Sequence, residues 1–327
     1  MPVVVNSNAT ATASSFNLSR ANDALRKSLE RLSTGKRINS AADDAGGLSV
    51  AYKLNSKMTR TSSIIQNSQN ALSYLQMQDS SLSAAGKIVD RMAELRTMAQ
   101  DITKNTGDIE NYSKEFIELQ SQLNQISKEK FNGISLFSTT TEASSDILNK
   151  ATNGGIYING EGVSLNYNSF SRTLTTHDSG ETDAGSVSIN VINFQFMLSI
   201  GGLAANGSGT AYNLGNISER NGTTDGVNAN GFVDNIKNVS VGQFIDIISR
   251  IADMRAENGA EQNRVMQRID LLQSNMTNIE AAHGRIMDAD IALESTRFAR
   301  HNILVQASAS MTAQANQLSS VALSLIG

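Results

Sequence analysis

Apolar side chains recur at helical spacing through the C-terminal part of the chain, from residue 241 to residue 326. The repeat is clearest between residues 265 and 286, where consecutive apolar positions lie alternately four and three residues apart. Helices pack against one another along a stripe of this kind in coiled coils. The predicted seam contains Val265, Ile269, Leu272, Met276 and Ile279, followed by His283 and Ile286.

A less regular stripe runs through the N-terminal part, from about residue 16 to residue 130. One seven-residue register is held by Leu72, Leu75, Leu82 and Val89, although polar residues interrupt it. Beyond Gly86 the stripe changes phase, which predicts a change of partner or of twist. We expect the two stripes to form an intrachain coiled-coil seam, while the core of an ordinary helical bundle remains the alternative.

Helix-capping residues separate a first helix from the rest of the N-terminal part. The segment from about 16 to 34 has one apolar face and stops at Gly35, a residue suited to the left-handed conformation that ends helices. Ser40 and Asp43 have the spacing of a capping box, which predicts that a long helix begins there.

The C-terminal part predicts the same arrangement in reverse order. Residues 287–290, with the sequence Met-Asp-Ala-Asp, follow the seam and can cap another helix. That helix is expected from about 290 to 326. Each arm is therefore predicted to consist of one terminal helix, a joint and one long helix.

Both terminal helices carry apolar side chains that a single partner helix cannot cover. Because an isolated pair buries too little apolar surface to offset its ordering entropy, we expect these ends to be loose in the monomer and to fold on assembly. Exposed stripes of this kind mark an oligomer interface. The predicted subunit-interface residues are Leu18, Leu25, Leu29 and Leu32 in the first helix and Leu304, Met311, Leu318, Val321 and Leu325 in the last.

Between the arms, from about residue 139 to residue 240, the composition changes to Gly, Asn, Thr and Ser with several Asn-Gly dipeptides, which favour turns. Apolar residues flanking positions 159–162 predict a β-hairpin, and Val187, Ile189 and Val191 alternate with polar residues as in a strand. The fold class is therefore predicted to be mainly α, with a discontinuous coiled-coil or helical-bundle core and a β-rich, α+β insert.

The domain boundaries follow from these changes in pattern. The predicted parts are the first terminal helix at 1–39, the N-terminal long-helix part at 40–138, the variable surface insert at 139–240, the C-terminal long-helix part at 241–287 and the last terminal helix at 288–327.

Composition narrows the function classes. The chain has no cysteine, so thiol redox chemistry and disulfides are excluded, and its only proline is Pro2, so long helices are permitted. The net charge of −4 offers no basic surface for nucleic acid. We expect no membrane span, because no run approaches the roughly 18 consecutive apolar residues that a spanning helix needs. No cleavable signal sequence is evident.

No motif for enzyme chemistry is present in the sequence. The three histidines do not form an HExxH pair, and helix capping explains Asp288 and Asp290 better than metal binding does. The glycines of the insert do not have the spacing of a dinucleotide-binding loop. We therefore predict no catalytic residues, no cofactor and no metal site, and a structural subunit rather than an enzyme.

The run from Arg31 to Leu48, RLSTGKRINSAADDAGGL, closely resembles the N-terminal signature of bacterial flagellins. Further matches follow in order: Phe131-Asn132-Gly133, Gln262-Asn263-Arg264, the run Arg285 to Asp290, and the run Ala313 to Gln317. The resemblance covers residues 1–138 and 240–327. It departs near the end, where Ser319-Ser320 replaces a proline-containing pair.

The resemblance implies a secreted, extracellular subunit that is exported by the flagellar type III apparatus and polymerises with other copies of itself into the filament that drives swimming. It also implies contacts with the filament cap, with hook-junction proteins and with an export chaperone. The paired terminal helices would line the inner tube, the long helices would form an outer tube, and the insert would face solvent.

In the family an animal innate immune receptor also binds the first long helix. The matching positions are Arg91, Glu94 and Leu95, while Ala93 stands where recognised members carry Arg. A solvated or subunit-contacting charge is the alternative role for Arg91.

Three other kinds of protein share part of this pattern with a filament subunit. A hook-filament junction protein shares the helical ends, but the nearly complete run from Arg31 to Leu48 favours the filament subunit. An enzyme within the insert would need more than His177 for a metal site. A glycan-decorated surface domain would agree with the Ser and Thr content of the insert.

Overall fold

A computed structural model describes residues 8–138, 149–158, 164–178, 185–200, 212–214 and 236–324. Side chains are described in these ranges except at 149–158, 164–168, 212–213, 238 and 318–324. The chain folds as two compact units: residues 1–60 with 274–327 form the first unit, and residues 61–273 form the second.

Most of the described chain is helical, as the sequence predicts. The helices are α1 (Ala9–Thr34), α2 (Ala45–Met98), α3 (Thr106–Ser127), the short α4 (Phe194–Met197), α5 (Val241–Met287) and α6 (Ile291–Ser324), with a 3-10 turn at Ile236–Asn238. The strands are β1 (Lys130–Phe131), β2 (Ile134–Ser135), β3 (Phe137–Ser138), β4 (Asn149–Ile158), β5 (Ser164–Thr175), β6 (Ser186–Asn193), β7 (Ser199–Ile200) and β8 (Tyr212–Asn213). A mainly α fold with a β-containing insert is therefore confirmed.

The predicted single long helix of the N-terminal arm is wrong, because residues 99–105 divide it into α2 and α3. Asp101 accepts a hydrogen bond from the backbone N–H of Thr103 and so stabilises a turn. A capping box between Asn105 and Asp108 then starts α3. The apolar stripe of α2 ends at the buried Ala99, and Ile102 is 99% exposed in the connection.

Helix ends agree with the sequence at two of three predicted positions. Gly35 ends α1 with φ of 69°, and its N–H donates to the carbonyl of Arg31. Asp290 caps α6 by accepting the N–H of Leu293. The capping box predicted from Ser40 and Asp43 is wrong, because those residues form a turn and α2 begins only at Ala45.

In the first unit, α1 and α6 pack side by side in antiparallel orientation. Near one end Asn8 Nδ2 donates to the carbonyl of Ala315 at 2.8 Å. At the other end the N–H of Ala289 donates to the carbonyl of Gly35 at 2.9 Å. A small apolar cluster next to this end contains Ile38, Ala51, Met287, Leu48 and Ile286.

In the second unit, the helices share an apolar core with one face of a small sheet. Phe116 of α3 and Phe244 of α5 are both buried and meet edge to face with ring centroids 6.2 Å apart. The ring centroids of Phe137 in β3 and Phe194 in α4 are 4.8 Å apart. Aromatic contacts thus join α3 to α5 and join β3, just before the insert, to α4 within it.

The larger sheet has the strand order β3-β6-β5-β4. The predicted hairpin is confirmed, since β4 and β5 are antiparallel and Ile158 pairs with Ser164; the loop residues 159–163 lie outside the described ranges. The predicted strand around Ile189 is confirmed as β6. It pairs antiparallel with β5 and, at Ile192 and Asn193, parallel with β3.

Candidate assembly surfaces

The two segments that carry the strongest sequence signature meet at the joint of the first unit. Backbone groups of residues 35–37 pair with those of residues 287–289: the N–H of Arg37 donates to Met287, and Lys36 forms an antiparallel bridge with Asp288. The Arg37 guanidinium also donates to the carbonyl of Ile286, from Nη2 at 2.9 Å and from Nε at 3.2 Å. The signature residues therefore build a connection between the two ends of the chain.

Asp43 stabilises the turn on the α2 side of this joint. Lys27 of α1 lies 2.5 Å from Asp43 Oδ1, and the backbone N–H groups of Asn39 and Ser40 donate to Oδ2. The Lys27 ammonium, together with these backbone donors, lowers the pKa of Asp43 to about 2. The carboxylate is therefore ionised at neutral pH and connects α1 to the turn before α2.

Gly47 leaves room for two neighbouring side chains where α2 begins. Asp44 accepts the N–H of Gly47 at 2.8 Å, so its side chain folds back over the first turn of the helix. A Cβ atom at residue 47 would lie 2.5 Å from Asp44 Oδ2 and 2.9 Å from the Cδ1 atom of Ile38. A glycine therefore accommodates the cap and the apolar cluster at the same place.

The contact between α1 and α6 buries few side chains completely and combines small, polar and apolar residues. In α1 only Ala21 and Ser28 are buried, and the predicted interface residues Leu18, Leu25 and Leu32 on the same face are half-buried. In α6 the half-buried residues repeat at spacings of three and four along the side that includes the contact with Asn8; they are Phe298, His301, Val305, Ser308, Thr312 and Ala315.

Other large apolar side chains of both helices lie outside this contact. Leu29 of α1 is 56% exposed, and in α6 Leu304 is 45% and Met311 is 65% exposed. Leu304 and Met311 are seven residues apart and lie on a row beside the one that faces α1. The backbone of Leu318 and Val321 continues α6, whereas their side chains and the whole of Leu325 lie outside the described part.

In the first turn of α6 a buried carboxylate lies between two arginines. Glu294 is 4% exposed and is 3.9 Å from Arg31 of α1 and 3.3 Å from Arg297 of α6. Its position in the first turn of α6 also suits the positive end of the helix dipole. The hydrophobic pattern did not identify this residue, because such a pattern treats acidic positions as exposed.

The predicted seam residues of the second unit are largely buried. Leu75, Leu82, Val89 and Val265 are inaccessible to solvent, Ile269 and Leu272 are nearly so, and Leu72 is half-buried. In the first unit Met276 and Ile279 are half-buried. Their assignment to one continuous seam remains a prediction.

A buried chain of amide groups joins α2 to α5, and the sequence analysis missed it. Asn258 Nδ2 donates to Gln78 Oε1 at 2.6 Å, and Gln262 Nε2 donates to Asn258 Oδ1 at 2.6 Å. Gln78 Nε2 in turn donates to the carbonyl of Leu136 at 2.9 Å. Asn258 lies seven residues before Val265, so a heptad count that admitted polar residues would have included it.

The predicted receptor-contact residues lie in two different environments. Arg91 is ion-paired with Glu94 at 3.0 Å and with Glu115 of α3 at 2.9 Å, and these carboxylates raise its pKa above the ordinary value. All three side chains are exposed. Leu95, in contrast, is inaccessible to solvent.

Across the described ranges, no group of three or more acidic or histidine side chains could hold a metal ion. None of the helices that the structure describes is both long and apolar enough to cross a bilayer.

Comparison with known proteins agrees with this arrangement. Residues 5–142 match the bacterial flagellin N-terminal helical region, and residues 243–326 match the C-terminal helical region. Flagellin of Bacillus subtilis is 29% identical over 320 residues, with 96% of each chain covered. Polar flagellin F of Vibrio parahaemolyticus is 27% identical, and the alignment covers both chains completely.

A solved structure described as a flagellar hook-associated protein of Vibrio parahaemolyticus has a similar fold. Its TM-score is 0.52 at 17% identity, and the alignment covers 75% of this chain and 100% of that one. At this identity the likeness concerns the fold alone. The matches at both ends and along the whole length show that the chain belongs to the bacterial flagellin family and is a structural subunit of the extracellular flagellar filament.

Proposed function

We propose that the α1–α6 pair is the main polymerisation element of this subunit. The observation that carries the proposal is that the pair leaves large apolar side chains partly exposed. In α1 the contact fully buries only Ala21 and Ser28, while Leu29 of α1 and Leu304 and Met311 of α6 remain 45–65% exposed. Complete burial of a leucine or methionine contributes about 1.5 to 3 kcal/mol, so covering these half-exposed side chains would contribute roughly half of that each, and neighbouring copies would supply the cover.

The remaining parts would follow the arrangement that the resemblance implies. The terminal helices would line the inner tube, α2, α3 and α5 would form the outer tube, and the insert would face solvent. In this proposal the role of the subunit is structural rather than catalytic. The terminal helices would be loose in the free subunit and would become ordered as copies assemble.

The test is to place a charge on the exposed row of α6. We expect Leu304→Lys and Met311→Lys each to reduce polymer yield at least tenfold, because each would bury an unpaired ammonium against apolar neighbours. Gln314→Lys, at an exposed polar position of the same helix, is the matched control. Sedimentation and electron microscopy measure polymer, and circular dichroism checks the monomer.

Filaments of Met311→Lys and Leu304→Lys at the yield of Gln314→Lys would refute the assignment. A loss of polymer in the Gln314→Lys control would also count against it, since polymerisation would then depend on charge at any exposed position of α6.

Other partners would use the same surfaces at different stages. An export chaperone would cover the exposed row of α6 before assembly, and the cap and hook-junction proteins would contact the terminal helices at the filament ends. Each would meet the apolar side chains that another subunit later covers.

An animal receptor would reach Arg91 and Glu94, because both are exposed on α2. Leu95 would contribute through packing beneath that surface, since it is buried. A contact between subunits is the alternative use of the same charges. Loss of receptor signalling in Arg91→Ala filaments would support the first use, and loss of polymer would support the second.

A further inference from the structure

Two Asn-Gly dipeptides lie where the structure describes side chains, and their environments are opposite. Asn132-Gly133 forms the turn between β1 and β2, whereas Asn258-Gly259 lies inside α5. The side-chain amide of an asparagine that precedes glycine is open to attack by the next backbone nitrogen, because glycine has no Cβ atom to hinder the approach. In a folded chain this reaction needs both groups to move, so the two sites should differ in reactivity.

The turn at Asn132-Gly133 is exposed and leaves both reacting groups free of other contacts. The φ angle is 49° at Asn132 and 81° at Gly133, as a two-residue type I′ turn requires. Among the described atoms, no hydrogen bond uses the Asn132 side chain or the N–H of Gly133. A Cβ atom at residue 133 would meet no heavy atom within 4 Å. Water therefore reaches both groups, and only the turn itself restrains them.

This turn belongs to a small hairpin that is attached elsewhere. β1 and β2 pair at two positions, and a two-stranded hairpin is at best marginally stable by itself in water. The attachment to α2 involves the strands: the ring of Tyr74 meets that of Phe131 edge to face with centroids 6.2 Å apart, and the Tyr74 hydroxyl donates to the carbonyl of Ser135 at 3.0 Å. Local opening of the turn therefore needs little free energy.

The groups that react are restrained at the second dipeptide. Asn258 is 3% exposed; its Nδ2 donates to Gln78 and its Oδ1 accepts from Gln262, each at 2.6 Å. Gly259 lies in the interior of α5, where a backbone N–H is directed at the carbonyl four residues earlier. Attack on the Asn258 amide would require the helix to unwind at this point. The same dipeptide should therefore be stable in α5.

We propose that Asn132 is a site of spontaneous backbone modification, and that its isoaspartyl product opens the β1–β2 hairpin. The Gly133 nitrogen attacks Cγ of Asn132 and loses its proton as the Cγ–Nδ2 bond breaks, so ammonia leaves and a five-membered succinimide remains. Water then opens the ring. Cleavage between the nitrogen and Cγ gives aspartate, and cleavage between the nitrogen and the main-chain carbonyl carbon gives isoaspartate. The net change consumes one water, releases one ammonia and involves no redox step.

The isoaspartyl product changes the geometry of the turn. Its backbone runs through Cβ and Cγ of residue 132, so the connection between the strands gains one carbon atom, and the former main-chain carbonyl becomes a free carboxylate. Because the length and type of a turn fix the register of a hairpin, the strand pairing next to the turn is lost. We therefore expect the contact of Phe131 with Tyr74 to loosen. This inference does not depend on how the subunit polymerises.

The first measurement follows deamidation of the full chain, kept dilute enough to remain unpolymerised, during incubation at mildly alkaline pH. Peptide mass spectrometry gives the deamidated fraction at Asn132 and at Asn258 in the same sample, so the second site is a matched internal control. We expect deamidation at Asn132 to be at least about tenfold faster, because Asn258 reacts only when α5 opens. Equal rates, or a faster rate at Asn258, would overturn the proposal.

The denatured chain and the identity of the product separate the effect of the fold from that of the sequence. In urea both dipeptides are unfolded, so their rates should agree within about a factor of three. A tenfold difference that persisted in urea would contradict the structural explanation. The succinimide must also yield isoaspartate at residue 132, whereas direct hydrolysis of the side-chain amide yields aspartate alone. Deamidation at Asn132 without isoaspartate would overturn the proposal.

The second measurement is hydrogen exchange of the peptide 129–136 in the incubated chain, read by mass spectrometry so that residue 132 identifies each form. The N–H of Leu136 donates to the carbonyl of Glu129 at 3.1 Å, so the pair two positions along each strand, next to the turn, is hydrogen-bonded as well. Asn132→Asp is the control, because it has the same charge without the extra backbone atom. We expect exchange at least about fivefold faster in the isoaspartyl form than in Asn132→Asp. Equal exchange in the two would refute the opening of the hairpin.

Discussion

Burial changes the proton affinity of Glu261. Its side chain is 13% exposed, and removal from water raises the pKa of its carboxyl group from 4.5 to about 6. Glu257 acts in the same direction, whereas the N–H of Asn190 and the charge of Arg264 oppose the rise. Of the elements packed around it, β6 has no ionisable side chain, and α2 presents the neutral Gln78 to this region.

Glu261→Gln is therefore expected to make stability less dependent on pH. Because the pKa is raised in the folded state, the stabilising contribution of the proton is fully present below pH 4.5 and is lost as the pH rises through 6. A pKa raised from 4.5 to about 6 changes the free energy of unfolding by at most about 2 kcal/mol over this pH range. The free energy of unfolding of Glu261→Gln, relative to that of the parent chain, should rise by up to that amount between pH 4 and pH 7.5. Urea unfolding at the two pH values measures it. A difference between the two proteins that stays constant with pH would contradict this explanation.

At the scale of elements, the amide chain between α2 and α5 determines how these helices align. Gln78 and Asn258 are both buried within a largely apolar contact. A polar pair in such a position satisfies its hydrogen bonds in only one register, so it discriminates against slipped arrangements. The ion pair between Asp79 and Arg255, at 2.9 Å, supports the same alignment from the protein surface.

Asn258→Ala is expected to destabilise the second unit by about 1 to 3 kcal/mol, because Gln78 loses its donor inside the core. Replacing both Gln78 and Asn258 by leucine should cost less than the sum of the two single leucine replacements, since neither amide is then left unpaired. Urea midpoints of the parent chain, the two single leucine variants and the double leucine variant measure this coupling. Strictly additive losses would show that the two amides do not act as a pair.

Large apolar residues at helical spacing made most of these elements predictable. Val265, Ile269 and Leu272 mark α5 clearly. The turn predicted at Asn153-Gly154 is wrong, because this dipeptide lies inside β4, and the other Asn-Gly dipeptides of the insert lie outside the described ranges. The break between α2 and α3 was missed because no glycine or proline lies in residues 99–105, although Asn105 and Asp108 have capping-box spacing. Glu261 and Asn258 were missed because their partners are remote in sequence, and hydrophobic periodicity carries no information about such pairs.

Removal of residues 1–35 from the complete subunit should abolish polymerisation and leave the insert folded. The deletion removes α1, and with it the only described helix that packs along α6, while the sheet keeps its contacts within the second unit. Electron microscopy of the truncated protein tests the first part, and protection of the Asn190 amide tests the second. Filaments of the truncated protein would contradict the role assigned to α1.

The contacts at the joint determine when the two ends of the chain can pair. Arg37 and its acceptor Ile286 are 249 positions apart, so this contact can form only when nearly the entire polypeptide is present. A product that stops before residue 286 still has α1 but lacks the backbone groups that Arg37 contacts, together with all of α6. If the α1–α6 pair polymerises as proposed, the fold acts as a check on completeness, and we expect prematurely terminated chains to stay out of the growing polymer.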